Sequence, residues 1–577
     1  HAVRQLYKTM KCFAEGSRGT DGPVGTVDAN GVLYKTTAKG QMIQYISEEA
    51  RTGYDVIKLA ATQFGPRDCV GKRPVLSTDI VDGFEKLTLG AYEYITFAQY
   101  ISRIDNLGSG LAKYVSPGDY ILIYAGTQLE WTLSAFAAWR CGATVGTAYD
   151  TLGEEAAAFA INQTKAKVVF ADSKLLKALS KVAAQLTTVQ RIVTMTDDAA
   201  DSAGAVLLKT YNIEISKLSE VEAAGAGAPV AAASVAPEAI AVCMYTSGTT
   251  GNPKGVQMSH GNLIATIAGG ATPTASLAAY TTPGGRFLAY LPLAHIMELI
   301  IELSCLTTGM TVGYGGVGTI LATSVKMLQT KKPQVGDAAA FKPTLFLAAP
   351  AVLDRIYAAV NGKINAAPKP IKAWFKAALA DGAANFDKGV IGANPFLGLI
   401  FKPVAKLLGG KVRVIGTGSA PLGLEIRKFC MTAFKCPVIQ GYGLTETCGA
   451  TTIGLPTSFE HGVGPPQESA CIRLRDWQEG NYLLADKDDP AIGMRRGEIL
   501  IGGVPPHHQS GDEAPRNQSN HSHPYARSYA RFSPEGAAHL CGRPTPRTPP
   551  RRPFSASSPA ASSALSLSRM CPTLRPP

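Results

Sequence analysis

Short apolar runs alternate with amphipathic segments along most of this chain, and this alternation restricts the fold more than any other feature of the sequence. In the first half, the runs at 120–124, 167–170 and 191–195 are predicted strands with helices between them. A second series begins at Phe287 and includes a predicted helix at 318–329. Strands that alternate with helices form βαβ units and a parallel sheet with both faces covered. We therefore predict an α/β fold with two doubly wound subdomains.

Changes in composition divide the chain into five predicted segments. Residues 1–75 are an irregular N-terminal extension, 76–237 the first α/β subdomain and 238–460 the second α/β subdomain. Residues 461–503 are a short β segment patterned like a small barrel, and 504–577 are a disordered tail. The first subdomain is expected to end in a linker of small residues at 222–237. The last segment contains nine arginines, fourteen prolines and twelve serines but no lysine. Such a composition cannot bury enough apolar surface to offset the entropy of ordering.

A loop rich in glycine and hydroxyl residues follows the apolar run at 239–244. Glycines allow main-chain N–H groups to approach an anion, hydroxyls donate hydrogen bonds, and Lys254 adds a positive charge suited to phosphate. The loop residues in question are Thr246, Ser247, Gly248, Thr249, Thr250 and Gly251. A Walker P-loop requires Ser or Thr after its lysine, whereas Gly255 follows Lys254. We predict a polyphosphate-binding loop; the alternative is an ordinary surface loop.

Three further stretches carry residue types suited to phosphate chemistry. His295 ends the segment 290–295 at a predicted helix start, where a histidine is by default structural. A glycine-rich turn after a strand lets the main chain approach a flat ring, and this turn contains Gly418, Ser419, Ala420 and Pro421. In the last stretch, Glu446 offers an oxygen ligand for Mg²⁺ beside the Thr445 hydroxyl. The alternative for this stretch is a helix cap after a buried strand, and its other residues are Gln440, Gly441, Tyr442 and Gly443.

The four stretches, in this order, resemble the motifs of the adenylate-forming synthetases, which include acyl-CoA synthetases, luciferases and peptide-synthetase adenylation domains. The chain is most similar to eukaryotic long-chain acyl-CoA synthetases, over roughly 68–503, including matches at 143–153, 353–357 and 497–503. This resemblance implies an acyl-CoA synthetase-like N-terminal domain. It also implies that ATP and a fatty acid in an apolar tunnel form an acyl-adenylate, which the thiol of coenzyme A then attacks.

The resemblance also implies roles for individual residues. Catalytic roles fall on Lys254, His295, Thr445 and Glu446, and Glu446 would hold Mg²⁺. The phosphate loop, the turn at 418–421 and the stretch at 440–443 would bind the nucleotide, with the turn lining the adenine pocket and Tyr442 offering a face for adenine.

The resembled enzymes continue beyond this point with a Thr-Gly-Asp motif, a hinge arginine and a small domain that carries a catalytic lysine. Residues 504–577 contain no counterpart of these elements, and their composition resembles translation in a shifted frame or translation of a retained intron. We therefore expect this chain to bind ATP weakly and to turn over poorly. Two alternatives to a long-chain fatty acid–CoA ligase stay open: an inactive protein that binds nucleotide or acyl chains, and a ligase for another carboxylic acid.

Charge and cysteine usage bear on location and partners. The chain has a net charge of +12, half of which lies in the last segment, and no run long enough to span a membrane is apparent. The eleven cysteines include no Cys-x-x-Cys pair, which favours a reducing, cytoplasmic location without disulfides. The basic, aromatic stretch 361–410 is expected to face the core; the alternative is a peripheral contact with the endoplasmic reticulum or another organelle membrane. No specific nucleic-acid partner is expected, because the basic segment offers only generic electrostatics.

Overall fold

The computed structural model describes most of the chain between residues 25 and 503. The described residues are 25–27, 32–35, 42–196, 202–246, 253–329, 334–459, 462–490, 492 and 495–503. The predicted disordered tail at 504–577 lies outside them, and so do residues 247–252 of the predicted phosphate loop.

The strands alternate with helices as the sequence predicts. The strands are β1 (Gly25–Val27), β2 (Val32–Lys35), β3 (Asp68–Lys72), β4 (Val75–Val81), β5 (Phe84–Leu89), β6 (Glu93–Thr96), β7 (Tyr120–Tyr124), β8 (Thr144–Ala148), β9 (Val168–Ala171), β10 (Arg191–Thr194), β11 (Glu214–Lys217), β12 (Ile240–Thr246), β13 (Lys254–Ser259), β14 (Arg286–Ala289), β15 (Thr311–Tyr314), β16 (Leu345–Leu347), β17 (Val414–Thr417), β18 (Val438–Leu444), β19 (Gly449–Ile453), β20 (Ala470–Arg475) and β21 (Glu498–Gly503).

The α-helices are α1 (Gly53–Phe64), α2 (Phe97–Leu111), α3 (Leu129–Arg140), α4 (Glu154–Thr164), α5 (Leu176–Lys181), α6 (Ala203–Thr210), α7 (Leu218–Gly227), α8 (His260–Ala271), α9 (Ile296–Thr307), α10 (Asp337–Phe341), α11 (Pro350–Ala366), α12 (Lys369–Asp387), α13 (Lys402–Leu407) and α14 (Leu424–Phe434). None of the described helices combines the length and hydropathy that a bilayer-crossing segment requires.

The first large sheet has seven strands in the order β11-β10-β9-β7-β8-β12-β13. All neighbours are parallel except the last pair, in which β13 returns antiparallel to β12. The central strands β8 and β9 are buried along their whole length, as expected when helices cover both faces of a sheet. The strand order reverses around β7, which is the doubly wound arrangement that the sequence predicts.

The second large sheet has eight strands in the order β19-β18-β17-β16-β14-β15-β3-β6. Its inner neighbours are parallel, and an antiparallel strand lies at each edge. A smaller antiparallel sheet has the order β1-β2-β20-β21. These sheets confirm the predicted α/β fold class with two doubly wound halves and a short β segment.

Three local predictions were wrong, and long-range packing explains each of them. The extension at 1–75 was expected to be irregular apart from a short helix near 48–64; that helix is α1, but the extension also contains β3, an inner strand of the eight-stranded sheet. The predicted helix at 318–329 is a series of turns, because Leu87 of β5 donates its N–H to the Lys326 carbonyl at 2.7 Å and holds the segment against the hairpin β4–β5. The predicted linker at 222–237 begins inside α7, which packs closely against α2.

Candidate functional site

The predicted phosphate loop joins two paired strands at the edge of the seven-stranded sheet. The last register pair of the β12–β13 ladder is Thr246 with Lys254, and the Thr246 hydroxyl lies 3.5 Å from the Lys254 carbonyl oxygen. Both side chains are half-buried. Because β12 runs parallel to β8, the loop leaves the sheet at its carboxyl edge, where doubly wound folds bind ligands. The predicted contacts Ser247, Gly248, Thr249, Thr250 and Gly251 lie outside the described residues.

His295 is the N-cap residue of α9. Its Nδ1 accepts a hydrogen bond from the main-chain N–H of Met297 at 3.1 Å. Burial lowers the pKa of His295, because a charged imidazolium would lose hydration. A neutral ring whose Nδ1 accepts carries its proton on Nε2, so Nε2–H remains a donor. The helix-cap role and the predicted substrate role therefore use different ring atoms.

Thr127, which the sequence analysis did not select, fixes the segment before His295. The Thr127 hydroxyl donates to the Leu291 carbonyl and accepts the N–H of Leu293 at 3.0 Å. Thr127 follows β7 by three residues, so these bonds join the carboxyl edge of the first sheet to the second half of the fold. The sequence signal that could have identified Thr127 was its position just beyond a predicted strand of a doubly wound sheet, where such folds bind ligands.

The glycine-rich turn lies beside both neighbouring stretches. Ser419 has a φ of 67°, in the left-handed region, and its hydroxyl donates to the Met297 sulfur at 3.6 Å. A Cβ on Gly418 would lie 3.4 Å from the Gly441 carbonyl oxygen. Gly418 is buried, whereas Ser419, Ala420 and Pro421 are exposed.

The stretch at 440–447 continues β18 and then turns. Gln440 is buried, and its Oε1 accepts the N–H of Leu422 at 2.9 Å. This oxygen is therefore used to hold the glycine-rich turn. Tyr442 packs against the apolar residues of β20 and β21, and burial raises its pKa to about 12. Gly441 and Gly443 are half-buried beside it.

The turn Thr445–Thr447 packs against β13, the strand that begins with Lys254. Thr445 and Glu446 are both half-buried. The structure thus brings the described part of the phosphate hairpin next to the Glu446 turn. The glycine-rich turn in addition contacts both the segment that follows His295 and β18.

A polar cluster that the sequence analysis missed lies at the carboxyl ends of β7, β8 and β9. Lys174 Nζ lies 3.6 Å from Asp150 Oδ2 and 3.4 Å from Asp172 Oδ2. The Gly126 N–H donates to Asp172 Oδ2 at 3.0 Å, and the Gln128 amide donates to the other Asp172 oxygen. Because these groups satisfy one another, the cluster holds the edge loops together.

Two buried carboxyl groups lie on α9 beneath His295. Glu298 and Glu302 are at most 1% exposed, and Tyr314 donates its hydroxyl proton to Glu302 Oε2 at 2.9 Å. Burial raises the pKa of both acids, and the nearby Glu302 carboxyl raises the pKa of Glu298 further. Because burial disfavours the charged form that a metal ligand needs, the half-buried Glu446 is the better candidate for a cation.

The family model described as AMP-binding enzyme matches residues 73–505, about three quarters of the chain. This chain belongs to the AMP-binding enzyme family. Long chain acyl-CoA synthetase 8 of Arabidopsis thaliana is 36% identical over 446 residues, covering 76% of this chain and 60% of the relative. Long chain acyl-CoA synthetase 4 of the same plant is 30% identical, and the alignment covers 87% of this chain and 71% of that relative. This chain therefore spans less than two thirds of the length of the first of these relatives.

Solved structures agree on the fold of this chain. The adenylation domain of a carboxylic acid reductase from Segniliparus rugosus, in complex with AMP, superposes with a TM-score of 0.59 at 19% identity. It covers 78% of this chain and 67% of that domain. A long-chain-fatty-acid-CoA ligase from Archaeoglobus fulgidus gives a TM-score of 0.53 at 18% identity, and the superposition covers 80% of this chain and 75% of that ligase. At these identities the likeness establishes the fold alone.

Proposed function

We propose that this chain is an ATP-dependent long-chain fatty acid–CoA ligase. The observation that carries the proposal is the contact between β13, which begins with Lys254, and the turn that contains Glu446. It joins one edge of each large sheet, where a nucleotide and a carboxylate could be held together. The names of the relatives, long chain acyl-CoA synthetases, support the substrate class.

In the first half-reaction, a fatty acid carboxylate oxygen attacks the α-phosphate of ATP and pyrophosphate leaves. Lys254, with the hydroxyls and amides of the loop 246–251, would neutralise charge on the β- and γ-phosphates. His295 would orient the carboxylate through Nε2–H, while its Nδ1 is engaged by Met297 N–H. In the second half-reaction, the coenzyme A thiol attacks the acyl carbonyl and AMP leaves.

Adenine would lie between the turn at 418–421 and the stretch at 440–443. Ser419 in its left-handed conformation exposes the main chain there, and Gln440 keeps the two segments at a fixed separation. Tyr442 is held by β20 and β21, so its ring would be a rigid wall.

Magnesium fits the oxygen donors at this edge. The Glu446 carboxylate and the adjacent Thr445 hydroxyl are hard ligands, and Mg²⁺ typically needs only one or two protein carboxylates besides phosphate and water. No cluster of three or more His, Cys, Asp or Glu side chains suited to a metal occurs among the described residues. When bound, Mg²⁺ would withdraw charge from the phosphates.

An ATP–pyrophosphate exchange assay with fatty acids of increasing chain length tests the proposal. We expect exchange to peak with long-chain acids and to fall at least tenfold in Lys254→Ala and in Glu446→Gln. Lys177→Ala, which removes an exposed lysine of α5, is the matched control. ATP binding without exchange would instead favour the non-catalytic binding protein. Exchange with short or aromatic acids only would favour a ligase for another acid.

Peripheral contact with an anionic membrane is proposed as well. On α12 one face is buried, as expected from the sequence, but Trp374 is exposed and stacks on the exposed Phe396 with ring centroids 6.3 Å apart. Exposed lysines on the same helix would attract anionic headgroups; they are Lys369, Lys372 and Lys376. We expect Trp374→Ser to reduce co-sedimentation with phosphatidylglycerol vesicles, whereas Val325→Ser, at another exposed apolar position, should not. Equal binding of both variants would contradict the contact.

A further inference from the structure

A basic cleft opens at the amino edge of the eight-stranded sheet, the edge opposite the candidate site. Its volume is about 670 Å³, within the usual range for small-molecule sites. β14 begins in it at Arg286, and the segment 410–413 leads from it into β17. Its lining residues are Arg286, Ala340, Phe341, Lys342, Thr344, Gly410, Lys411, Val412 and Arg413.

The cleft is strongly cationic. Four of its nine lining residues carry a positive charge and none is acidic. None of the four forms an ion pair within 4 Å with an acidic residue in the described part of the chain. The positive potential is therefore not neutralised within the described structure, and a concave wall of low dielectric focuses it.

The two arginines are held in place before any ligand arrives. Arg286 Nε donates to the Phe341 carbonyl at 2.8 Å, and its guanidinium lies 4.3 Å from the centre of the Phe341 ring. Arg413 donates to the Ala279 carbonyl at 3.3 Å and lies over the Tyr280 ring at 5.6 Å. Fixed guanidinium groups lose little entropy on binding, and their planar forks suit phosphate oxygens.

We propose that this cleft binds a phosphate monoester. The two lysines, Lys342 and Lys411, are exposed and would close on the phosphate as mobile charges. An ordinary basic surface patch would lack the concave shape of the cleft, and its guanidinium groups would not be fixed before binding. Phosphate monoesters occur in soluble metabolites and in lipid headgroups, and both sources present the same dianion to the cleft.

The test uses the full chain and two probes. Glycerol 3-phosphate, titrated by calorimetry in the presence of saturating ATP, represents the soluble source. Flotation with phosphatidylcholine vesicles that contain phosphatidic acid represents the lipid source. The cleft variant is Lys411→Gln/Arg413→Gln, which leaves the more deeply packed Arg286 intact. The control variant is Lys402→Gln/Lys406→Gln, which removes two exposed lysines of the neighbouring α13.

We expect the cleft variant to bind at least one of the two probes at least tenfold more weakly than the unaltered chain. The control variant should change that affinity less than twofold. Raising the salt concentration should weaken binding to the unaltered chain. Loss of vesicle binding alone would assign the headgroup source, and loss of glycerol 3-phosphate binding would assign the soluble source. Equal affinities of cleft and control variants for both probes, with unchanged thermal melts, would overturn the proposal.

Discussion

His260 is buried at the start of α8, directly after the strand that begins with Lys254. Its Nδ1 accepts the main-chain N–H of Gly53 at 3.1 Å, and its ring meets the Trp139 ring edge-on with centroids 5.9 Å apart. The side chain is only 1% exposed. Burial lowers the pKa of His260 from 6.5 to about 4, because a charged ring there would lose its hydration without gaining an acidic partner.

The sign of the stability change follows from this lowered pKa. The unfolded chain takes up a proton near pH 6.5, whereas the folded chain resists protonation until about pH 4. The contribution of neutral His260 is therefore fully present above pH 6.5 and is lost as the pH falls towards 4. At about 1.4 kcal/mol for each pH unit, the folded state should lose roughly 3 kcal/mol over this interval through His260 alone.

The variant His260→Asn isolates this effect. The Asn side-chain oxygen can still accept the Gly53 N–H, but it does not titrate. Urea unfolding should be followed by tryptophan fluorescence at several values between pH 7.5 and pH 4 for both proteins. We expect the free energy of unfolding of the original protein to fall by roughly 3 kcal/mol more than that of the variant. Parallel curves would refute the reasoning, because they would mean that His260 titrates equally in both states.

Two further predictions concern packing that the sequence analysis did not foresee. Thr127→Val leaves the Leu291 carbonyl and the Leu293 N–H without their partner. We therefore expect the free energy of unfolding in urea to fall by about 2 kcal/mol and pyrophosphate exchange to weaken. Thr127→Ser should largely restore both. Exchange that stays normal in Thr127→Val would show that the His295 segment does not depend on this contact. Gly225→Ala would place a Cβ 1.8 Å from the Asn106 carbonyl oxygen, and we expect it to lower stability by about 1–3 kcal/mol in thermal melts. Gly227→Ala, with open space around it, should change stability by less than about 1 kcal/mol, and equal melts of the two variants would contradict the prediction.

The spacing of apolar residues predicted the α/β class and most strands of both large sheets. It placed strands at 120–124 and 191–195, and the structure has β7 and β10 there. The stretch at 440–447 was also selected from its residues, and it lies in contact with the glycine-rich turn. These signals are local, because strand periodicity and the chemistry of a loop depend on residues close together in the chain. The roles of these residues in catalysis stay predictions.

Contacts between distant parts of the chain decided the rest. The segment 318–329 became turns because its main-chain groups bond to Leu87, more than 200 residues earlier. Thr127 matters through Leu291 and Leu293, which no local pattern connects to it. The sequence by itself indicated most of the elements, and it predicted which loops carry residue types suited to phosphate chemistry. Only the tertiary structure decided which loops meet, because a hydrogen bond between remote residues depends on how the sheets pack and not on neighbouring residues.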